Sequence, residues 1–157
     1  MSLPKLYLET TIPSYLTSRR SRDLRLAADQ ETTEEWWEIC RAGYELYTSA
    51  VVDLEVAEGN AVFAEALQRA LEGIPRLSAL PEVDDLILHL LELQIIPAVA
   101  APDAAHIALA AVHGMDFLLR NCKHINNPHL IRRIEQACRE RAFACPVICT
   151  PEELLPV

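Results

Sequence analysis

Apolar residues along this chain fall into two patterns that take turns: short unbroken or alternating runs, and longer stretches with a helical repeat. The runs at 6–8, 117–119 and 147–149, the alternating stretch 44–48 and part of 75–80 are too short for helices and predict strands. Helical spacing predicts helices over 26–41, 49–59, 61–71, 82–94, 102–114 and 129–141. A further short helix follows the first strand, with a threonine hydroxyl as cap and Pro13 in its opening turn. Gly59, residues 73–75 and Gly114 punctuate the pattern, and the TPEELL segment is expected as a tail. Strands spaced by helices throughout predict a three-layer α/β/α domain with a mainly parallel central sheet.

The stretch PDAAHIALAAVHGMDFLLRN, residues 102–121, organises the rest. Its proline stands at the start of a helix, and Asp103 lies in the first turn, where a carboxylate suits both the positive helix end and a cation-binding role. The almost unbroken Ala, Ile, Leu and Val that follow leave little solvent-facing surface, so this helix is expected to be central. Asp116 then precedes an apolar strand, and Asn121 stands just beyond it. In an open α/β sheet, such element ends are where ligands bind.

At 157 residues the chain is expected to be one domain, residues 1–157, able to bury roughly two thirds of its extended surface. Hydrophobic residues make up 51% of it and Gly only 4 positions, which suits a packed fold rather than a disordered one. No apolar run reaches membrane-spanning length and the start MSLPKLYLET has no secretory pattern, so a cytoplasmic location is expected.

The formal net charge of -9 argues against a protein that coats nucleic acid. It leaves room for an enzyme that meets nucleic acid through a local basic patch and bound cations. Such a patch is offered by Arg19, Arg20, Arg22 and Arg25, read either as a solvated loop or as phosphate contacts. The five cysteines, Cys40, Cys122, Cys138, Cys145 and Cys149, have no framework spacing and are expected as free thiols. Cys122 and His124 alone are a weak metal-ligand pair. Of Trp36 and Trp37, one is expected on the core and the other against a neighbouring helix or a second subunit.

Four acids stand at element ends: Glu9 after strand one, Glu55 in the helix after strand two, Asp103 and Asp116. If they meet, their repulsion requires a cation, and oxygen-only ligands suit magnesium or manganese better than zinc. Water activation and charge stabilisation in phosphodiester cleavage would follow. Each also has an ordinary role: Glu9 capping the next helix, Glu55 in a surface pair, Asp103 as a first-turn acid, Asp116 ending a turn. His106, three residues past Asp103 on the same helical side, is expected to be packed or hydrogen-bonded rather than to bind metal.

The segments YLETTIPSYL, SAVVDLEVAEG, PDAAHIALAAVHGMDFLL and NCKHI, in that order, resemble the PIN-domain family of the VapC-like toxin type over nearly the whole chain. The resemblance implies a compact α/β/α domain, divalent-cation-dependent ribonuclease activity, homodimerisation and inhibition by a small antitoxin. It assigns the four family acids to Glu9, Glu55, Asp103 and Asp116, with magnesium or manganese, one or two ions, held mainly by Glu9, Asp103 and Asp116. Asn121 takes the supporting polar position. The chain departs from the family at LLRN, where relatives carry LLTWN, so one residue is missing and Arg120 stands in the turn. Arg120 is expected to face RNA or be displaced; the other outcome is a guanidinium in the cation site. The alternatives to a ribonuclease are a catalytically weakened PIN-like domain that binds RNA or a partner, and a different metal-dependent phosphoesterase.

Overall fold

The computed structural model describes residues 2–121, 125 and 127–157. Its strands are β1 (Lys5–Leu8), β2 (Glu45–Ser49), β3 (Arg76–Leu77), β4 (Phe117–Leu119) and β5 (Val147–Cys149). They form one sheet in the order β3-β2-β1-β4-β5, with all four pairings parallel. The helices are α1 (Thr11–Thr17), α2 (Leu24–Ile39), α3 (Ala50–Glu58), α4 (Ala61–Ala70), α5 (Pro81–Glu92), α6 (Ala101–Val112), α7 (Pro128–Glu140) and α8 (Pro151–Leu154). Elements expected from the hydrophobic pattern are thus present, and the fold is the three-layer α/β/α arrangement.

From β1 the chain moves outward to β2 and β3, then returns across the sheet to β4 and on to β5. Right-handed crossovers send the connections of these two halves to opposite faces. The helix packing agrees: α1 lies against α2 and α2 against α8, while α5 lies against α6 and α7. The direction of winding therefore switches between β1 and β4. A switch point opens a crevice at the carboxyl ends of the strands, and residues just past β1 and just past β4 face it together. The register makes this concrete, because Leu8 pairs with Leu119.

Strands covered on both sides must be apolar on both sides. Leu6, Tyr7 and Leu8 are fully buried, as are Leu118 and Leu119. Helix α6 packs with seven buried residues, five of them from the run His106 to Ala110. Gly114 ends it at φ +69, and the Met115 amide donates back to the Ala110 carbonyl at 2.9 Å, a return that needs a left-handed residue between them. On the opposite layer Trp36 is fully buried, with ring centroids 5.8 Å from Tyr44 and 6.5 Å from Trp37. Arg41 covers the half-buried Trp37 ring at 4.0 Å, so both tryptophans are engaged within the chain itself.

One detail differs from the pattern's expectation. The segment after β5 is not a tail but α8, started by a capping box in which the Thr150 and Glu153 side chains and backbones satisfy each other. The sheet's outer strands are very short, two residues in β3 and three in β5. Arg76 ties β3 down, reaching both oxygens of Asp53 at 2.9 and 3.1 Å and the carbonyls of Leu71 and Ile74. No helix among the described residues is long and apolar enough to cross a membrane.

Leu118 fills the middle of the sheet with no exposed surface, whereas Val99 is 92% exposed. Leu118→Ala should lower unfolding free energy by about 2–5 kcal/mol through lost burial and a residual cavity. Val99→Ala should change it by less than about 0.5 kcal/mol, both read from urea midpoints at constant m-value.

Candidate functional site

Glu9 is the first residue beyond β1 and its backbone amide still bonds across to Leu119 at 3.1 Å. It is only 3% exposed. One carboxylate oxygen accepts the Thr11 amide at 2.7 Å and the other the Thr11 hydroxyl at 3.1 Å. Glu9, rather than the expected threonine hydroxyl, thus satisfies an open amide of α1; Thr10 at the N-cap makes no side-chain cap bond. Asn121 braces the same point from β4. Its amide donates to the Thr11 hydroxyl oxygen at 2.9 Å and its side-chain nitrogen to Thr33 at 3.0 Å.

Glu55 rises from α3, the helix that follows β2, and is 33% exposed. Its Oε1 accepts the Thr10 hydroxyl at 2.9 Å and lies 2.6 Å from His106 Nε2. His106 is 1% exposed, and its Nδ1 lies 2.7 Å from the Tyr7 hydroxyl, which in turn lies 2.7 Å from Ser49 Oγ. Burial pushes the Tyr7 phenol far above its usual range; the Ser49 hydrogen bond opposes this and the charges of Glu9 and Glu55 add to it. Tyr7 therefore keeps its one proton. The Tyr7 hydroxyl can give its proton to only one of its two neighbours, Ser49 Oγ or His106 Nδ1, so the tautomer of His106 sets the direction of the line. For Glu55, burial works to raise the pKa, and hydrogen bonding and charge from His106 with the Thr10 hydroxyl outweigh it, so the carboxyl is held below its ordinary 4.5. The charge of Asp103 acts against that lowering.

Asp103 enters from the first turn of α6, and between it and Glu9 lies Arg120. The guanidinium Nη2 donates to Asp103 at 3.2 Å, and Nε stands 3.5 Å from Glu9 Oε2. Arg120 is 1% exposed, and its Nε and Nη1 have no hydrogen-bond partner among the described residues. The expectation that Arg120 faces RNA or is displaced is corrected here: its side chain turns into the crevice, between two carboxylates.

Asp116 does not join them. It precedes β4, and because β4 runs parallel to β1 this places it beside the start of β1; its Oδ2 accepts the Lys5 amide at 2.8 Å. Glu9 lies past the other end of the same strand. The expected convergence of four acids is thereby reduced to Glu9, Glu55 and Asp103. Arg19, Arg20, Arg22 and Arg25 are all exposed around the loop between α1 and α2. Arg20 is drawn to Glu34 at 2.9 Å and to the Ala27 carbonyl at 3.1 Å. Cys122 and His124 lie outside the described residues. Cys40, Cys138, Cys145 and Cys149 are free thiols, as expected.

Three carboxylates from three elements offer the hard oxygen donors that magnesium or manganese prefers. Their arrangement does not. Among the described residues no group of three His, Cys, Asp or Glu side chains could hold a metal ion, and the guanidinium stands between Glu9 and Asp103. In this conformation Arg120 supplies the positive charge that those two carboxylates require.

Sequence reasoning missed Tyr7, Ser49 and Thr10. A tyrosine inside a fully buried strand was the available signal, because its hydroxyl must find a partner and that partner marks a polar interior. No protein-family model matches the chain, and no curated protein matches it either.

Tyr7→Phe removes the hydroxyl between Ser49 and His106 and should cost about 1–3 kcal/mol in chemical denaturation, the penalty of unsatisfied buried polar groups. A second measurement concerns pH. A carboxyl with a depressed folded pKa stabilises above its unfolded value and loses that contribution as pH falls through the folded one. Unfolding free energy should therefore drop as pH falls below about 4.5, and Glu55→Gln should be less acid-sensitive over that window than the original protein.

Proposed function

We propose that this is a PIN-like endoribonuclease domain that cleaves RNA phosphodiester bonds with magnesium or manganese, and that Arg120 competes with the cation. The carrying observation is the gathering of Glu9, Glu55 and Asp103 around the β1–β4 switch point, with a buried cation of the protein's own already between two of them. In the cation-loaded protein Glu9 and Asp103 would be its ligands, with Glu55 as a further ligand or orienting water. Such an ion supplies Lewis acidity and a low-pKa water. The chain's residues do the rest. The His106 imidazole and the Thr10 hydroxyl fix the same oxygen of Glu55, and Thr11 with Asn121 sets Glu9. Arg19, Arg22 and Arg25, exposed around the α1–α2 loop, would hold the RNA backbone by charge.

A second reading has its own support. A guanidinium 1% exposed and paired to Asp103 is costly to withdraw, which favours a catalytically weakened domain that binds RNA or a protein partner. The resemblance in YLETTIPSYL and the segments after it also carries the partner expectations, a homodimer and a small antitoxin. A third reading, another metal-dependent phosphoesterase, would act on small phosphate esters as well as RNA.

Arg120→Thr separates these. In chelator the variant should lose about 3–5 kcal/mol, since Glu9 and Asp103 both lose the buried Arg120 guanidinium. Magnesium or manganese should restore part of that loss by binding the native state. Cleavage of single-stranded RNA should rise and reach half-maximum at lower cation concentration. RNA binding without cleavage in both proteins would select the weakened reading, and stability unmoved by cation in the variant would reject a cation site.

A further inference from the structure

Next to Glu55 a cavity of about 200 Å³ lies between α1 and α4. Its two walls differ in chemistry. On α1, Ser14, Thr17 and Ser18 recur at helical spacing and line the cavity with hydroxyls. On α4, Phe63 and Leu67, four residues apart, supply an aromatic ring and an aliphatic side chain, and Asn60 closes the corner.

Hydrogen-bond accounting says what these groups still offer. The Thr17 hydroxyl donates its proton to the Pro13 carbonyl at 2.9 Å, so towards a ligand it can only accept. Asn60 Oδ1 accepts the Val62 amide at 2.9 Å, so its amide nitrogen is left to donate. Ser14 can do either. Among the described residues no cationic side chain lines the cavity, and the Glu55 carboxylate stands at its end, which disfavours an anion inside. A purely apolar occupant would cover the hydroxyls without pairing them. What fits is an uncharged planar ring with an apolar face and a mixed donor and acceptor edge. The volume is below the roughly 300–1,000 Å³ of pockets for drug-sized ligands, which limits the occupant to one ring system.

We propose that this cavity is a nucleobase subsite. It takes the base of the nucleotide adjoining the phosphate at the Glu9, Glu55 and Asp103 edge, and so sets which phosphate of an RNA strand is presented there. The placement rests on the ribonuclease reading and names its specificity site. Two connections support it. Glu55 belongs to both places, with Thr10 of the cavity lining holding the oxygen that also meets His106. On the other side Arg19 and Arg20 follow Ser18 directly and are exposed, so a backbone leaving the cavity meets positive charge at once.

The test is binding of the full chain to single-stranded oligoribonucleotides in chelator, read by fluorescence anisotropy, with an abasic nucleotide moved through the strand one position at a time. One position should stand out, its abasic form binding on the order of tenfold more weakly. Phe63→Leu should flatten that dependence. Ser14→Ala, which leaves the core untouched, should reduce it at the same position, with circular dichroism confirming the fold of both variants. A flat scan, a position effect that survives both substitutions, or no RNA binding would overturn the subsite. Cation-dependent cleavage together with a flat scan would reject the subsite and keep the ribonuclease; position-specific binding without cleavage under either cation would do the reverse.

Discussion

Charge balance in the crevice between β1 and β4 is the constraint on which the rest of the site depends. Two carboxylates that are largely removed from water cannot face each other without a positive partner. At the effective dielectric of a partly buried site, one unit charge near another is worth on the order of 4 kcal/mol, which is comparable with a sizeable fraction of a domain's stability. Arg120 meets Glu9 and Asp103 at 3.5 and 3.2 Å and is itself almost fully enclosed. Its enclosure has a cost as well, since two of its nitrogens have no hydrogen-bond partner among the described residues. The arrangement holds because each acid is independently anchored, Glu9 by Thr11 and Asp103 by its helix.

Glu55 solves the same problem differently. It is more exposed, and His106 together with the Thr10 hydroxyl holds it ionised. The buried line from Ser49 through Tyr7 and His106 reaches it through two strands and the central helix. Movement of α6 relative to the sheet would therefore disturb Asp103 and the His106 contact together. That couples two of the three acids through one rigid element, and it ties the chemistry to the packing of the most apolar helix in the chain.

Much of this was legible in the residues. Short apolar runs spaced by helices led directly to the parallel sheet, and Glu9 just past β1 and Asp103 in the first turn of α6 stand at the element ends read for them. Asp116 was misplaced by treating both ends of a strand as one edge. In a parallel sheet they are opposite edges, and an acid before β4 cannot meet one after β1. Arg120 was harder. Alternation usually tells which way a strand residue points, but Leu118 and Leu119 are both fully buried because the sheet is covered on both faces. With that signal silent, nothing in the local pattern says where the guanidinium ends.

The brevity of the outer strands bears on how copies of this chain can meet. An exposed strand edge is a row of unpaired amides and carbonyls that invites another chain to add to the sheet, but two residues at β3 and three at β5 offer almost no row to extend. The Arg76 clamp occupies side-chain and carbonyl groups next to the shorter of them. Fibril-like growth through the sheet is therefore poorly templated in the native state, and any ordered self-association has to be built from helical surface instead.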